Sequence, residues 1–490
     1  MNEISKEQFA KGTIWKVLER FTGRGISLII SGILARLLSP DDYGLIALTT
    51  VFTNLSEILI DGGFGTVLIR KKDVDEEDYA CVLTISAALS TILYIILFIS
   101  APFIAAYYNK SEFASVLRVV SLVLFIQAFA STQNAYVTRT MQFKLMIKCN
   151  MVASVISGSI GIVFAFLGYG VWSLVIQRLI QQAVIATLIF FKLKWKLCFR
   201  FGKERFHEIF GFSAGVIGSL LINYIENCIN TLVIGKHYSV KDLGYVDKAA
   251  ILPEQISLNS FGAMTNVLLP TVSTYQNDVT KLKQIIRRVV KYTVYVLFPV
   301  MLGMLMVSRE AICVIFSKTW LPSVPIMQFI CIYYIATPLM LIDVQVFWGL
   351  GHSNIRIKTE ILRIIFIITG VVLCCFVFRS EIKYLSLSTA IAVCLGTIVT
   401  HNEIRKLIGY TFAERITDTY KSVISSIVMC FIVYALKFLL VGIDIPIIFK
   451  LIVEVVAGIF SYWLLSILFR IDVYRELVDI VRTRRRKDNG

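Results

Sequence analysis

Residues 38–44 read LSPDDYG, and residues 238–244 read YSVKDLG. Each stretch closes one long apolar run and opens another: 14–37 and 43–62 flank the first, 210–235 and 243–268 the second. Ser39, Asp42 and Gly44 recur as Ser239, Asp242 and Gly244, and Gly62 recurs as Gly262. Just upstream, Gly12 pairs with Gly211. A bilayer crossing takes about 20 apolar residues, so each stretch is a tight polar turn between two crossing helices. Recurrence at equivalent points predicts a chain built from two repeats. Asp42 and Asp242 are expected to cap the helices that follow the turns.

Working outward, further apolar runs lie near 80–106, 114–137, 149–168, 171–191, 290–316, 324–349, 360–378, 384–402, 422–441 and 447–469. The expected fold is therefore an all-α integral membrane protein with about fourteen transmembrane helices. The connections are short, and none is large enough to fold as a separate domain. Of the 490 residues 57% are hydrophobic and 17% charged, against about a quarter charged in soluble proteins.

The net charge is +16, which by itself would suit nucleic acid. The distribution of the cations assigns it to topology instead. Connections on one side carry Arg70, Lys71, Lys72, Arg139, Lys144, Lys148, Arg405, Lys406 and the basic stretches at 192–205, 281–291 and 482–487. The other side holds only Lys110, Lys236, Lys241, Lys318, Arg379 and Lys383. The positive-inside rule then puts both termini in the cytoplasm. No cleavable signal peptide is read at the N-terminus.

Both turn motifs face the same side, so the repeats are parallel, with an axis along the membrane normal. Residues 1–191 are expected to form an N-terminal six-helix bundle, 192–209 a basic cytoplasmic linker, 210–405 a second six-helix bundle, and 406–490 two further helices with a basic cytoplasmic tail. Pro253, Pro299 and Pro338 fall inside expected spans and would bend them.

Polar residues inside spans are costly and mark a cavity or a partner helix. The first helix carries Lys16, Arg20, Arg24, Ser27 and Ser31 on one face, by the 3.6-residue period. The equivalent face of the seventh carries Ser219, Asn223, Glu226, Asn227 and Asn230. The second carries Thr50, Asn54, Glu57 and Asp61; the fourth Gln127, Ser131 and Asn134; the sixth Gln177, Arg178, Gln181 and Gln182; the eighth Asp247, Glu254 and Gln255. A single amide or hydroxyl of this kind often only bonds a neighbouring helix. Taken together the stripes predict a hydrated interior. Arg20, Arg24, Gln127, Arg178, Gln181, Asn223 and Asn227 are candidates for holding a substrate. Glu57, Glu226, Asp247 and Glu254 are candidates for ion pairs or gates. Depth matching pairs Glu57 with Arg20, and Arg24 with Glu226 from the opposite repeat.

The ten Cys form no CxxC pair and the four His are scattered, so neither a disulfide framework nor a metal site is expected. Glycine-rich phosphate loops and nucleophile elbows are absent from the sequence. Neither a cofactor nor enzymatic chemistry is expected, and nucleic acid is not an expected partner.

Leu34-Ala35-Arg36-Leu37-Leu38-Ser39-Pro40-Asp41-Asp42-Tyr43-Gly44 resembles the opening of the polysaccharide transporter family. So do Asp61-Gly62-Gly63-Phe64-Gly65, Gly168-Tyr169-Gly170-Val171-Trp172-Ser173-Leu174, and Asp242-Leu243-Gly244-Tyr245-Val246-Asp247-Lys248-Ala249. The last has Val246-Asp247-Lys248 where the family pattern often has Tyr-Asp-Arg, which keeps the charge pair. That family, with its Wzx-type O-antigen, colanic-acid and teichuronic-acid exporters, lies in the multidrug/oligosaccharidyl-lipid/polysaccharide export superfamily. The resemblance implies a flippase that moves undecaprenyl-diphosphate-linked oligosaccharide from the cytoplasmic to the outer leaflet of the bacterial inner membrane. It implies as partners the lipid-linked oligosaccharide, membrane lipids, and the polymerase and glycosyltransferases of the same pathway. Three alternatives stand beside it: a peptidoglycan lipid-precursor flippase, a cation-coupled multidrug exporter, and a membrane polysaccharide polymerase or ligase. An exporter of organic cations would favour an acidic, aromatic cavity, whereas the first helix here is basic. A polymerase or ligase would need a sizeable outer loop.

Overall fold

A computed structural model of the chain describes residues 25–61, 64–71, 74–140, 142–193, 202, 205, 213, 217–218, 220–221, 224, 228–378, 380–440 and 442–479. Regular structure among them is helical, with no strand. The order opens with α1 (Gly25–Leu37), α2 (Pro40–Asp61), α3 (Phe64–Arg70), α4 (Glu76–Tyr108), α5 (Glu112–Val120) and α6 (Val123–Arg139). It continues with α7 (Phe143–Phe166), α8 (Val171–Leu193), α9 (228–237), α10 (Val240–Thr274), α11 (Val279–Met306) and α12 (Ser308–Ile315). It closes with α13 (Ser323–Gly349), α14 (Ser353–Val372), α15 (Ile382–Ile408), α16 (Phe412–Leu440), α17 (Ile447–Leu468) and α18 (472–479).

Among the described residues, eleven helices are long and apolar enough to cross a membrane. The first and seventh expected spans are described only in part, as α1 and α9. The eighth is the 35-residue α10, whose Lys241, Asp242, Asp247, Lys248 and Glu254 set it apart from the more apolar helices. Several helices outrun the apolar runs that announced them. α11 begins at Val279 rather than near 290, and α16 at Phe412 rather than near 422. Their extra turns carry charges that pair across helices: Lys283 Nζ lies 2.8 Å from Glu414 Oε1. Hydropathy reads only the hydrocarbon-facing stretch, while backbone bonding continues into polar turns. The expected run 290–316 is broken at Val307 into α11 and α12. The run 360–378 ends in a π-helical turn, Leu373–Val377.

The turn motifs correct one expectation. Asp42 and Asp242 are not the caps. Ser39 precedes α2, and its hydroxyl accepts from Asp42 N at 3.3 Å while its own N–H donates to Asp42 Oδ2 at 2.8 Å. At α10 the Ser239 hydroxyl likewise accepts from Asp242 N at 3.0 Å, and it donates to Asp242 Oδ2 at 2.6 Å. Serine is the N-cap and aspartate the reciprocal third-position partner, a capping box with a short acid. The glycine two residues beyond each aspartate permits a close crossing of the two helix starts. A β-carbon on Gly44 would stand 1.7 Å from the Val240 carbonyl oxygen, and one on Gly244 would stand 2.0 Å from that of Pro40. The two repeat motifs thus meet reciprocally, each glycine against the first residue of the other's helix.

By packing, the chain divides into Met1–Gly244 and Tyr245–Gly490. In the first unit α4 packs on α5 and α6, α7 on α8, and α2 on α6. Ile60, Leu97, Val123, Leu124 and Ala128 form one of its buried clusters. In the second unit α13 and α14 pack on α15, and α16 packs on α11 and α17. Leu268, Val272, Leu282, Ile286, Val290, Ile342, Phe347, Ile404 and Tyr410 are buried together there. Phe103, Phe166, Phe431, Phe438 and Ile459 are each at least 67% exposed, as side chains facing lipid acyl chains must be.

Candidate functional site

In the first unit, the polar stripes of α2 and α8 meet at one arginine. Thr50, Asn54 and Glu57 recur at one-turn steps on α2, and Arg178 projects to them from α8. Its Nη1 donates to Thr50 Oγ1 at 2.7 Å, and its Nη2 to Asn54 Oδ1 at 2.9 Å and Glu57 Oε1 at 3.0 Å. Both ends of the ion pair are 21% exposed, so the planar guanidinium clamps three turns of a neighbouring helix at a half-buried seam. Tyr224 closes the other side by donating to the Val51 carbonyl at 2.9 Å.

The expected partner of Glu57 was Arg20, which lies outside the described residues. Among those described, the partner is Arg178. The expected pair Arg24–Glu226 and the candidates Asn223 and Asn227 also lie outside them. Gln127 on α6 and Gln181 on α8 are half-buried, on helices that pack together. Nearby on α6, Gln133 Oε1 and Asn134 Oδ1 are buried acceptors without a hydrogen-bond partner among the described residues. Buried amides in that condition suit water or a hydroxylated ligand.

At the N-terminal end of α4, Asp75 and Asp78 form a reciprocal cap. Arg205 joins it, with Nη1 3.0 Å from Asp78 Oδ1 and Nη2 2.8 Å from Glu77 Oε2. The hydrogen bond from Arg205 holds the Asp75 carboxyl down at about 2. This ties a residue of the basic linker to the first bundle.

In the second unit, Asp247 and Glu254 lie two turns apart on one face of α10. Asp247 is 42% exposed and stands 3.8 Å from the buried Lys248 ammonium; Glu254 is exposed. Three charge clusters were not singled out from the sequence. Arg415 at the start of α16 donates to Asp343 Oδ2 at 3.1 Å and meets His401 Nδ1 at 2.7 Å, and Asp343 is completely buried. On α14, Glu360 is bracketed by Arg356 and Arg363. Arg363 lies against Gly396, where a β-carbon would stand 3.2 Å from its Cγ. Lys437 on α16 reaches Glu310 Oε2 at 2.6 Å and the Met306 carbonyl at 3.0 Å, and Glu454 on α17 is buried close by. The signal for all three was present. Asp343, Glu360, Arg363, Glu310 and Glu454 are ionisable residues inside apolar runs, which is reason enough to ask for a partner. Their partners Arg415 and Lys437 sit at helix ends, where basic residues read as interfacial anchors.

These sites order hydrogen-bond donors and acceptors within the helices. Guanidinium, amide and hydroxyl groups of this kind match phosphate oxygens and sugar hydroxyls.

The arrangement is that of a multi-pass α-helical membrane protein with the fold of a known lipid flippase. The solved structure of the lipid II flippase MurJ in an inward closed conformation covers 95% of this chain and all of its own, with a TM-score of 0.74 and 18% identity. An inward-facing multidrug resistance MATE transporter covers 80% of this chain and 98% of its own, with a TM-score of 0.61 and 16% identity. The chain belongs to the polysaccharide biosynthesis protein family, whose model matches residues 33–325. Its relatives include the succinoglycan biosynthesis transport protein ExoT of Rhizobium meliloti (strain 1021), 24% identical over 98% of this chain and 97% of that one. The teichuronic acid biosynthesis protein TuaB of Bacillus subtilis (strain 168) is 22% identical over 72% of this chain and 74% of its own. The lipopolysaccharide biosynthesis protein WzxC of Escherichia coli (strain K12) is 22% identical over 67% of each.

Proposed function

We propose that this protein is a flippase that carries undecaprenyl-diphosphate-linked oligosaccharide from the cytoplasmic to the outer leaflet of the bacterial inner membrane. The observation that carries this reading is the set of guanidinium, amide and hydroxyl groups on α2, α6 and α8, held inside a membrane protein of the polysaccharide biosynthesis family. Such groups bind a diphosphate and sugar hydroxyls, while the polyprenyl tail stays in lipid. No covalent step is required, so the work is alternating access by two parallel repeats. Both termini lie in the cytoplasm, next to the glycosyltransferases that supply the substrate. The polymerase that consumes it acts on the far side.

Arg24 is the first diphosphate ligand in this reading, because its planar fork binds phosphate oxygens bidentately. Arg20, Asn223, Asn227, Gln127 and Gln181 are the further candidate ligands in this reading, and Glu226 is the candidate counter-charge to Arg24. Depleting the protein should leave lipid-linked oligosaccharide in the cytoplasmic leaflet and stop its appearance outside. Arg24→Lys should keep partial export and Arg24→Ala almost none, at normal membrane levels of both. Wild-type export by the alanine variant would remove Arg24 from the site. Accumulation of lipid II in place of the oligosaccharide would reassign the substrate to the peptidoglycan precursor.

A further inference from the structure

We propose that Glu454 is a proton-binding site, and that its proton decides whether Lys437 stays bound to the end of α11 and to α12. The inference goes beyond transport itself and does not depend on which lipid is moved.

Glu454 lies within α17, two turns from its start, and is 1% exposed. Its Oε2 has no hydrogen-bond partner among the described residues. The charged groups around it come from three helices. α12 offers Glu310, itself only 7% exposed. α16 offers Lys437. α17 offers Lys450, one turn before Glu454, which makes no ion pair with it among the described residues. α11 adds no charge, only the Met306 carbonyl at its C-terminus. Arg309, beside Glu310, is exposed.

Two buried carboxyls therefore lie near one ammonium, which binds Glu310 and not Glu454 among the described residues. Lys437 donates to Glu310 Oε2 at 2.6 Å and to the Met306 carbonyl at 3.0 Å. An ionised Glu454 would be a buried charge with an unmatched oxygen, which is strongly unfavourable. A protonated Glu454 carries no charge, and an unmatched neutral carboxyl costs far less than an unmatched buried carboxylate. The geometry thus belongs to the state with the proton on Glu454. When the proton leaves, the new carboxylate competes with Glu310 for Lys437. Two of the three ammonium donors are in use, so a carboxylate at Glu454 weakens the clamp by drawing the whole ammonium away from Met306 and Glu310. Proton occupancy on α17 is thereby linked to how α11 and α12 are held against α16.

The test uses the purified full-length protein in lipid nanodiscs, with no substrate. Infrared difference spectra of wild type against Glu454→Gln should isolate a protonated-carboxyl carbonyl band that vanishes as pH is raised. Over the same range the wild-type unfolding temperature should fall, while that of Glu454→Gln stays level. Glu310→Gln removes the competing acid and frees Lys437, so there the band should vanish at a lower pH. If Glu454→Gln folds poorly, the Glu310→Gln comparison with wild type still decides. A band absent from wild type at every pH, or one whose pH dependence is unchanged by Glu310→Gln, would overturn the proposal.

Discussion

Arg178 holds three turns of α2, so its loss should reach beyond one ion pair. Hydrogen bonds to charged groups contribute about 1.5–3 kcal/mol each when a partner is removed. Arg178→Ala, which removes all three, should lower the stability of the detergent-solubilised protein by more than that single-bond range. Glu57→Ala added to it should cost little more, because the two residues share the interaction. Fully additive losses in this double-mutant cycle would separate Glu57 from Arg178. Asp75 gives a prediction in pH. Its carboxyl is held at about 2, below its ordinary 3.8, chiefly by the Arg205 hydrogen bond. A depressed acid contributes its stability above the ordinary value and loses it as pH falls toward the folded one. Hydrogen-exchange protection at the start of α4, taken relative to the intrinsic rate at each pH, should therefore be flat from neutral pH to about 4, then fall on further acidification. In Arg205→Ala protection should already be lower at neutral pH and should fall less on acidification. An unchanged profile would detach Arg205 from the cap.

Between helices, the decisive quantity is how closely two axes approach. Gly44 faces backbone: its added β-carbon would lie 1.7 Å from the Val240 carbonyl oxygen. Gly158 on α7 faces a side chain, with Ile30 Cδ1 at 2.3 Å, Cγ1 at 2.8 Å and Cγ2 at 2.9 Å. A side chain can rotate away and a backbone carbonyl in a helix cannot. Gly158→Ala should therefore cost about 1–3 kcal/mol, the usual range for overpacking, and still fold. Gly44→Ala and Gly244→Ala should give little monodisperse protein by size-exclusion chromatography. The reverse order would mean that the helix starts do not cross this tightly. The Asp343–Arg415–His401 cluster joins α13, α15 and α16 in the same unit. Arg415→Ala leaves a fully buried carboxylate without its cation, a loss of about 3–5 kcal/mol, readable as a fall in unfolding temperature. Asp343→Asn in that background should recover part of it, since the orphaned charge is gone.

At the scale of the whole molecule, α16 and α17 pack within the second unit. Arg287 on α11 grips Asp418 on α16 through two hydrogen bonds of 2.8 Å. Tyr462 on α17 donates to the Tyr295 carbonyl of α11 at 2.9 Å, and Arg288 binds Glu476 on α18 at 2.7 Å. A chain ended after residue 410 should not yield stable protein in the membrane fraction; normal recovery would make the pair dispensable. Topology is checked on the full chain. Cysteines placed at 200 and 485 should resist an impermeant reagent in intact cells and react after permeabilisation. Labelling of either from outside would invert the assignment of sides.

Hydropathy determined the class and the eleven spans found among the described residues, because lipid imposes length and polarity on each segment separately. The motif at 38–44 and its copy at 238–244 were legible for the same local reason: a turn between two spans needs a cap and a small residue. The stripe on α2 was legible too, since Thr50, Asn54 and Glu57 share a face by helical period alone. What that face binds was decided only by tertiary structure. Depth matching chose Arg20 for Glu57, yet Arg178 supplies the described contact, because depth is one coordinate and packing fixes the other two. Likewise Asp343, His401 and Arg415 are far apart in sequence, and no period connects them. Their meeting depends on which helices are neighbours, which the pattern of a single span does not contain.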